Sequence, residues 1–262
     1  MKKLSIITIT LNNLGELTKT VDSVLNQLNE ECEYLVIDGC STDGTVKYLE
    51  KNKICYFSEK DHGIYDAMNK GIIKSKGEWI YFLNAGDILL PGVIEEFIEF
   101  SNDKKNIDAI YGNVILSMTY KGITYSLNQE AEKDVNQLRK GMICSHQGIF
   151  CRKESVVGAG GFDATFRIAG DWDLISRLYI DGKQFNYWNR YIAKYNQNGA
   201  STHPHIKERH KVRKKNKMYS TIDWYIVKDF LHDIKSVLLN TILGEKKKWL
   251  AIKFKGYVKE KN

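Results

Sequence analysis

The sequence lacks any apolar run near the ~20 residues that cross a bilayer, so the chain is not expected to span a membrane. It also lacks a secretory leader pattern. Its five cysteines, Cys32, Cys40, Cys55, Cys144 and Cys151, have no metal-ligand spacing. Together these absences point to a reduced, cytosolic setting. The first half has neither the Gly-x-Gly-x-x-Gly turn of a dinucleotide site nor the Gly-Lys-Ser/Thr of a P-loop, so any phosphate must be held without a glycine cradle. A net positive charge is missing from the body of the chain. Lys207 to Asn262 hold 16 lysines and arginines against 6 acids, a surplus of +10 in a chain whose net charge is +7, which leaves the first 206 residues at −3. A slightly acidic body excludes a nucleic-acid-binding surface there, and the basic tail is weighed separately.

What is present is a repeating strand and helix pattern in a chain long enough for one large domain with a tail. Trp79 to Leu83 form an apolar run of strand length that leads into Asn84-Ala-Gly-Asp87, and Pro91 suits the first turn of a helix through Val93, Ile94, Phe97 and Ile98. Leu4 to Thr10 is a strand, followed by helical spacing at Leu14, Leu17, Val21, Val24, Leu25 and Leu28. Tyr34 to Asp38 and Ile54 to Ser58 are further strands; Thr45 to Lys51 and a stretch through Ile64, Met68 and Ile72 are the helices after them. Such alternation predicts a mostly parallel α/β sheet with helices on both faces. Asp38, Asp61 and Asp87 fall at or just past strand ends, the edge of an open sheet where ligands bind. Carboxylates in place of glycine amides suggest a divalent ion, Mg²⁺ or Mn²⁺, between protein and a diphosphate. Each aspartate alone could equally serve a turn or a helix cap.

Thr8-Ile-Thr10-Leu-Asn12, Val36-Ile-Asp38-Gly-Cys-Ser-Thr-Asp-Gly-Thr45, Gly63-Ile-Tyr-Asp-Ala-Met-Asn69-Lys-Gly71 and Leu83-Asn-Ala-Gly-Asp87 resemble the successive signatures of glycosyltransferase family 2. The resemblance covers residues 3 to 205 and implies the GT-A fold and a nucleotide-diphosphate sugar, with a UDP-sugar favoured. It places Thr10, Asn12, Asp38, Asp61, Asn69 and Gly86 on the nucleotide-sugar side and Asp87 on the metal. The family usually has a further acid near the metal aspartate, whereas Asn84 and Gly86 stand in the neighbouring places here.

The later sequence reads as an acceptor-binding half. Ile107 to Tyr111 is a strand, and Val114 to Tyr120 with Ile123 to Leu127 form a hairpin around Lys121-Gly122. Residues 128 to 143 are polar and irregular, as in a mobile loop over a site. His146 and Gln147, before the strand Gly148 to Arg152, match a His-Gln pair of many such transferases and imply acceptor binding. Asp171 matches the aspartate of the family's Glu-Asp pair, the general base, with Gly170 in place of the glutamate. A helix N-terminus also favours acids there for its dipole alone. Trp172 could stack on an acceptor sugar or sit in the core. The segment Lys194 to His205 resembles the family's Gly-x-Ser stretch, and His203 is the candidate second metal ligand. Beyond it, Val227, Leu231, Ile234, Leu238 and Ile242 form an apolar helical stripe within the basic tail, as expected of an anchor on an anionic membrane surface or of a helix packed on its own domain.

The expected organisation is a GT-A domain over 1–206, with a nucleotide-sugar half (1–111) and an acceptor half (112–206), then a basic amphipathic tail (207–262). The expected activity is inverting transfer of a sugar to a lipid-linked glycan acceptor of bacterial surface polysaccharide, at the inner face of the membrane. A nucleotide-sugar-binding scaffold that has lost catalysis is the alternative.

Overall fold

The computed structural model describes residues 2–196, 206–218, 231 and 246–260. The strands are β1 Leu4–Thr10, β2 Cys32–Asp38, β3 Cys55–Ser58, β4 Trp79–Phe82, β5 Ile88–Leu89, β6 Ala109–Tyr120, β7 Ile123–Gln129, β8 Ile149–Arg152, β9 Phe185–Asn196 and β10 Val258–Lys259. The helices are α1 Leu14–Leu25, α2 Thr45–Lys51, α3 Ile64–Lys74, α4 Val93–Asn102, α5 Lys153–Gly158, α6 Gly170–Ile180, α7 Ile206–Lys215 and α8 Lys246–Phe254.

One sheet runs β10-β7-β6-β8-β4-β1-β2-β3, and β9 pairs with both β6 and β5. The expected parallel sheet is the β4-β1-β2-β3 portion. Antiparallel pairs enter with β8, β7 and β5, while β6 and β9 are parallel. Alternation along each strand sorts side chains onto two faces. Ile7, Ile9, Leu35, Ile37, Ile80 and Phe82 point to a core closed by α3 and α6. Leu4, Ile6, Tyr34, Val36, Trp79 and Tyr81 point to the other, closed by α1 and α4. Burial on both faces is why these strands read as continuous apolar runs.

Several boundaries differ from the sequence expectation. Ile107 to Tyr120 holds one strand, β6, whose register against β9 shifts between Tyr111 and Val114. Residues 128–143 are anchored: Ala131, Leu138 and Ile143 are buried in the α3/α6 core, and Val135–Arg139 is a 3-10 turn. The first turns of the basic segment pack on the domain, since α7 buries Val212 and Arg213 and is followed by buried Met218. β10 likewise pairs with β7. Apart from Leu231, the apolar stripe from Val227 to Ile242 lies outside the described residues, as does His203. No helix among the described residues is long and apolar enough to cross a membrane.

Candidate active site

The carboxyl ends of β1, β2 and β3 form a connected edge. Thr10 and Asp38 are register partners, and buried Asp38 accepts from the Ser41 amide at 3.1 Å and the Ser58 hydroxyl at 2.6 Å. Asn12 ties the β1 loop to the β2 loop: its amide donates to Ser41 Oγ at 2.7 Å, and its Oδ1 accepts from the Thr42 amide at 2.8 Å. Asp61 Oδ2 lies against Gly39, 2.6 Å from where a β-carbon there would stand. Thr10 Oγ1 is buried without a hydrogen-bond partner. Asn69, expected on the donor side, spends both ends of its amide on the Phe162 backbone, at 2.8 Å each. It ties α3 to the turn before α6.

Beyond the β1 edge, starting at Asn13, opens a cleft of about 710 Å³. Asn84, Gly86 and Asp87 line it from the loop after β4, His146 and Gln147 from the 3-10 turn before β8, and Asp171 from the start of α6. Asp87 is 4 % exposed. Its Oδ2 accepts from Gln147 Nε2 at 2.7 Å and its Oδ1 from the Asn196 amide at 3.0 Å. Burial outweighs these bonds and pushes its carboxyl up to about 7. Gln147 thus orients Asp87, a role different from the acceptor contact expected of it. Asn196 comes from the end of β9, which pairs with β5 directly after Asp87.

His146 joins the two sides of the cleft. Asn84 Nδ2 lies 3.0 Å from its Nε2; with the amide donating, the ring proton is on Nδ1, 3.9 Å from Asp171 Oδ2. Burial lowers the affinity of this ring for a second proton, against the pull of Asp171.

Asp171 and Asp173 have separate tasks. Asp173 is fully buried and bonded to Arg177, Lys215 and Asn216 at 2.9–3.0 Å, which locks α6 to α7. Asp171 faces the cleft, with its Oδ1 accepting from the Trp172 amide at 2.7 Å. The turn leading to it is held by Glu208 of α7, whose carboxylate accepts from the amides of Arg167, Ile168 and Ala169 at 2.8–2.9 Å. Trp172 is not a sugar platform. It is 3 % exposed, and its indole donates to the Leu138 carbonyl at 2.9 Å.

Two of the three departures from the usual acids, Gly86 and Gly170, have steric reasons. Gly86 has φ +103°, a conformation that L side chains rarely adopt. A β-carbon at Gly170 would stand 2.7–2.8 Å from the Tyr65 ring. Tyr65 fills that space, and its hydroxyl donates to the Ile168 carbonyl at 2.5 Å.

Among the described residues five carboxylates line the cleft, Glu16, Asp87, Glu130, Glu132 and Asp171, against Arg167 and His146 as basic groups. An anionic diphosphate would be repelled there unless a cation came with it. Mg²⁺ and Mn²⁺ favour oxygen donors, and Mg²⁺ usually takes one or two carboxylates beside phosphate oxygens and water. The residues fit that demand. Asp87 supplies a carboxylate, and Asn84 Oδ1 and Gln147 Oε1 are buried oxygens without a hydrogen-bond partner. No cluster of three or more His, Cys, Asp or Glu among the described residues could hold a metal alone. Sequence reasoning passed over Glu16, Tyr65, Asn196 and Glu208; Tyr65 lay within the motif Gly63 to Gly71 and Asn196 within the stretch Lys194 to His205, without a role given to either.

Comparison with known proteins identifies the family and the fold. A PGL/p-HBAD biosynthesis glycosyltransferase from Mycobacterium bovis is 29 % identical over 205 residues, 75 % of this chain and 77 % of that protein. An uncharacterised glycosyltransferase of Mycobacterium tuberculosis is 34 % identical over 186 residues, 67 % of this chain and 68 % of its own. Among solved structures, Staphylococcus aureus TarS 1-349 in complex with UDP-GlcNAc superposes with a TM-score of 0.65 at 16 % identity, covering 92 % of this chain and 73 % of that one. The Pyrobaculum calidifontis mannosyltransferase PcManGT in complex with GDP-Man and Mn²⁺ gives 0.61 at 13 % identity, covering 95 % and 80 %. Residues 5–158 match the family described as glycosyl transferase family 2, and the protein belongs to that family, with the GT-A fold.

Proposed function

We propose that the protein is an inverting glycosyltransferase that moves a sugar from a nucleotide-diphosphate sugar, a UDP-sugar by preference, to a glycan or glycolipid acceptor of bacterial surface polysaccharide. The observation that carries this reading is the pairing of Asp87 and Asp171 in one cleft, joined through Asn84 and His146. Inverting transfer needs a carboxylate to take the proton of the acceptor hydroxyl as its oxygen attacks the anomeric carbon. Asp171 has that role; Asp173 is committed to Arg177, Lys215 and Asn216. The diphosphate leaves on the Asp87 side. Mg²⁺ or Mn²⁺, held by Asp87 with Asn84 Oδ1 and Gln147 Oε1, would supply positive charge to the departing phosphates. Thr10, Asn12, Asp38 and Asp61 shape the strand-end edge that receives the nucleoside. His146 keeps Asp171 oriented and borders the acceptor.

The two structural relatives with bound donors support a nucleotide sugar, and the exposed aromatics and lysines of α8 favour an acceptor held at a membrane, such as a glycolipid. For such an acceptor we place the enzyme on the inner face of the membrane, through α8. Trp249 and Phe254 are exposed there, with Lys253 over both rings and Lys248 and Lys255 beside them. The test is hydrolysis of a panel of UDP-, GDP- and dTDP-sugars with Mg²⁺ or Mn²⁺. Turnover of one donor, lost in Asp171→Asn, is the expected result. Donor binding without turnover of any sugar, with or without glycan acceptors, would favour a scaffold that has lost catalysis.

A further inference from the structure

Gly86 leaves a gap where a side chain would normally project, and that gap is not empty. A β-carbon built on Gly86 would lie 3.5 Å from Glu16 Cβ, 3.5 Å from Glu16 Oε2 and 3.9 Å from its Cγ. A carboxylate from the first turn of α1 therefore stands where a residue-86 side chain would point. Its Oε1 accepts from Lys19 Nζ at 2.7 Å, so Oε2 is the oxygen turned to the loop. Glu16 lines the same cleft as Asn84 and Asp87. Its placement is fixed by Thr20, one turn along α1. The Thr20 hydroxyl accepts from the Gly86 amide at 2.9 Å and donates to the Asp87 carbonyl at 2.8 Å.

A second observation points to a ligand at this place. Gln147 is 1 % exposed and lines the cleft, yet only its Nε2 is used, on Asp87, while Oε1 has no partner. A buried amide oxygen without a donor is costly unless something electropositive meets it.

We propose that Glu16 Oε2 is the second carboxylate oxygen for the divalent cation at Asp87, supplied from α1 in place of an acid on the loop. The inference rests on the reading of this cleft as a cation-assisted nucleotide-sugar site. It explains how Gly86 can keep its left-handed turn without losing the charge that an aspartate there would give. Two carboxylates then balance a dication, leaving the phosphates to complete its shell.

The test is Mn²⁺ binding to the full chain, alone and with UDP, followed by electron paramagnetic resonance, which reads free Mn²⁺ without any turnover. Glu16→Gln is expected to weaken Mn²⁺ affinity about tenfold or more, while Lys19→Ala binds as tightly as the wild type or tighter. Equal affinity in wild type and Glu16→Gln overturns the proposal and leaves Glu16 as the surface partner of Lys19. Equal losses in Glu16→Gln and Lys19→Ala also overturn it, because the effect then belongs to the helix surface. If melting shows that Glu16→Gln does not fold, Glu16→Asp takes its place. The same loss is expected from its shorter reach, and an unchanged affinity overturns the proposal there too. Failure of the parent reading looks different: wild type takes up no Mn²⁺, or Asp87→Asn binds it as well as wild type does.

Discussion

Asp38 and Asp61 stand within a few residues of the strands that place them, whereas Asp171 depends on partners far along the chain, as the Asp87 carboxylate does through Gln147 and Asn196. Glu208, 41 residues after Arg167, holds the turn before α6, and Tyr65, 103 residues before Ile168, fills the space over Gly170. The strand-end edge at Thr10, Asp38 and Asp61 follows from local pattern and a parallel sheet. The acceptor side of the cleft is assembled by long-range contacts, several of them from the basic segment that begins at Lys207. Substitutions remote from the cleft should therefore disturb the base more than the donor edge.

The strongest break in that comparison is Glu208→Ala. It removes the acceptor of three backbone amides, and hydrogen bonds to a charged group are worth about 1.5–3 kcal/mol each. Denaturant melts should show a loss of that order, and kcat should fall while donor Kd stays close to wild type. A donor Kd that weakens in step with kcat would mean that the two sides are not built separately. Gly170→Ala tests the same side through packing. Its new methyl meets the Tyr65 ring, and overpacking of this kind costs about 1–3 kcal/mol. A Tyr65→Ala background should absorb most of that cost, and equal losses in both backgrounds would show that the ring is not the obstacle.

On the donor side, the carboxyl of Asp87 is raised from an ordinary value of 3.8 to about 7 by burial. Between those values the folded chain holds a proton that the unfolded chain has already released, so stability falls as pH rises through that window. Asp87→Asn removes the ionisation, and Gln147 can turn its unpartnered Oε1 to the new amide. Without metal, the variant should melt a few degrees higher than wild type at pH 8, about 1 kcal/mol, and gain less at pH 5. The smallest effect on the cleft is expected from α8. Attraction of α8 to an anionic surface should amount to about 1 kcal/mol per lysine and be screened by salt. Co-sedimentation with anionic vesicles should weaken as ionic strength rises and be absent with neutral ones. Equal binding to both would leave the lysines of α8 without that role.

The same contrast separates what was legible in the sequence from what was not. β1 is found over Leu4–Thr10, as its apolar run indicates, and β4 ends one residue before expectation. Those strands are buried on both faces, so hydrophobicity alone marks them. β9 was not legible, because Phe185–Asn196 mixes polar and aromatic residues and exists through pairing with β6 and β5. Trp172 was left open between a sugar platform and the core because nothing in the sequence reveals that the Leu138 carbonyl receives its indole. Glu16 carries no motif in the sequence; only the fold brings it to Gly86.

The central claim is that Asp87 and Asp171 share a cleft but not a task. The direct measurement is calorimetric binding of UDP with Mn²⁺ to Asp87→Ala and Asp171→Asn, beside turnover of the donor that the wild type uses. Asp87→Ala should lose both metal-dependent binding and transfer. Asp171→Asn should bind as wild type does while turnover falls by about 10²-fold or more. Unchanged turnover in Asp171→Asn, or intact metal-dependent binding in Asp87→Ala, would contradict the account.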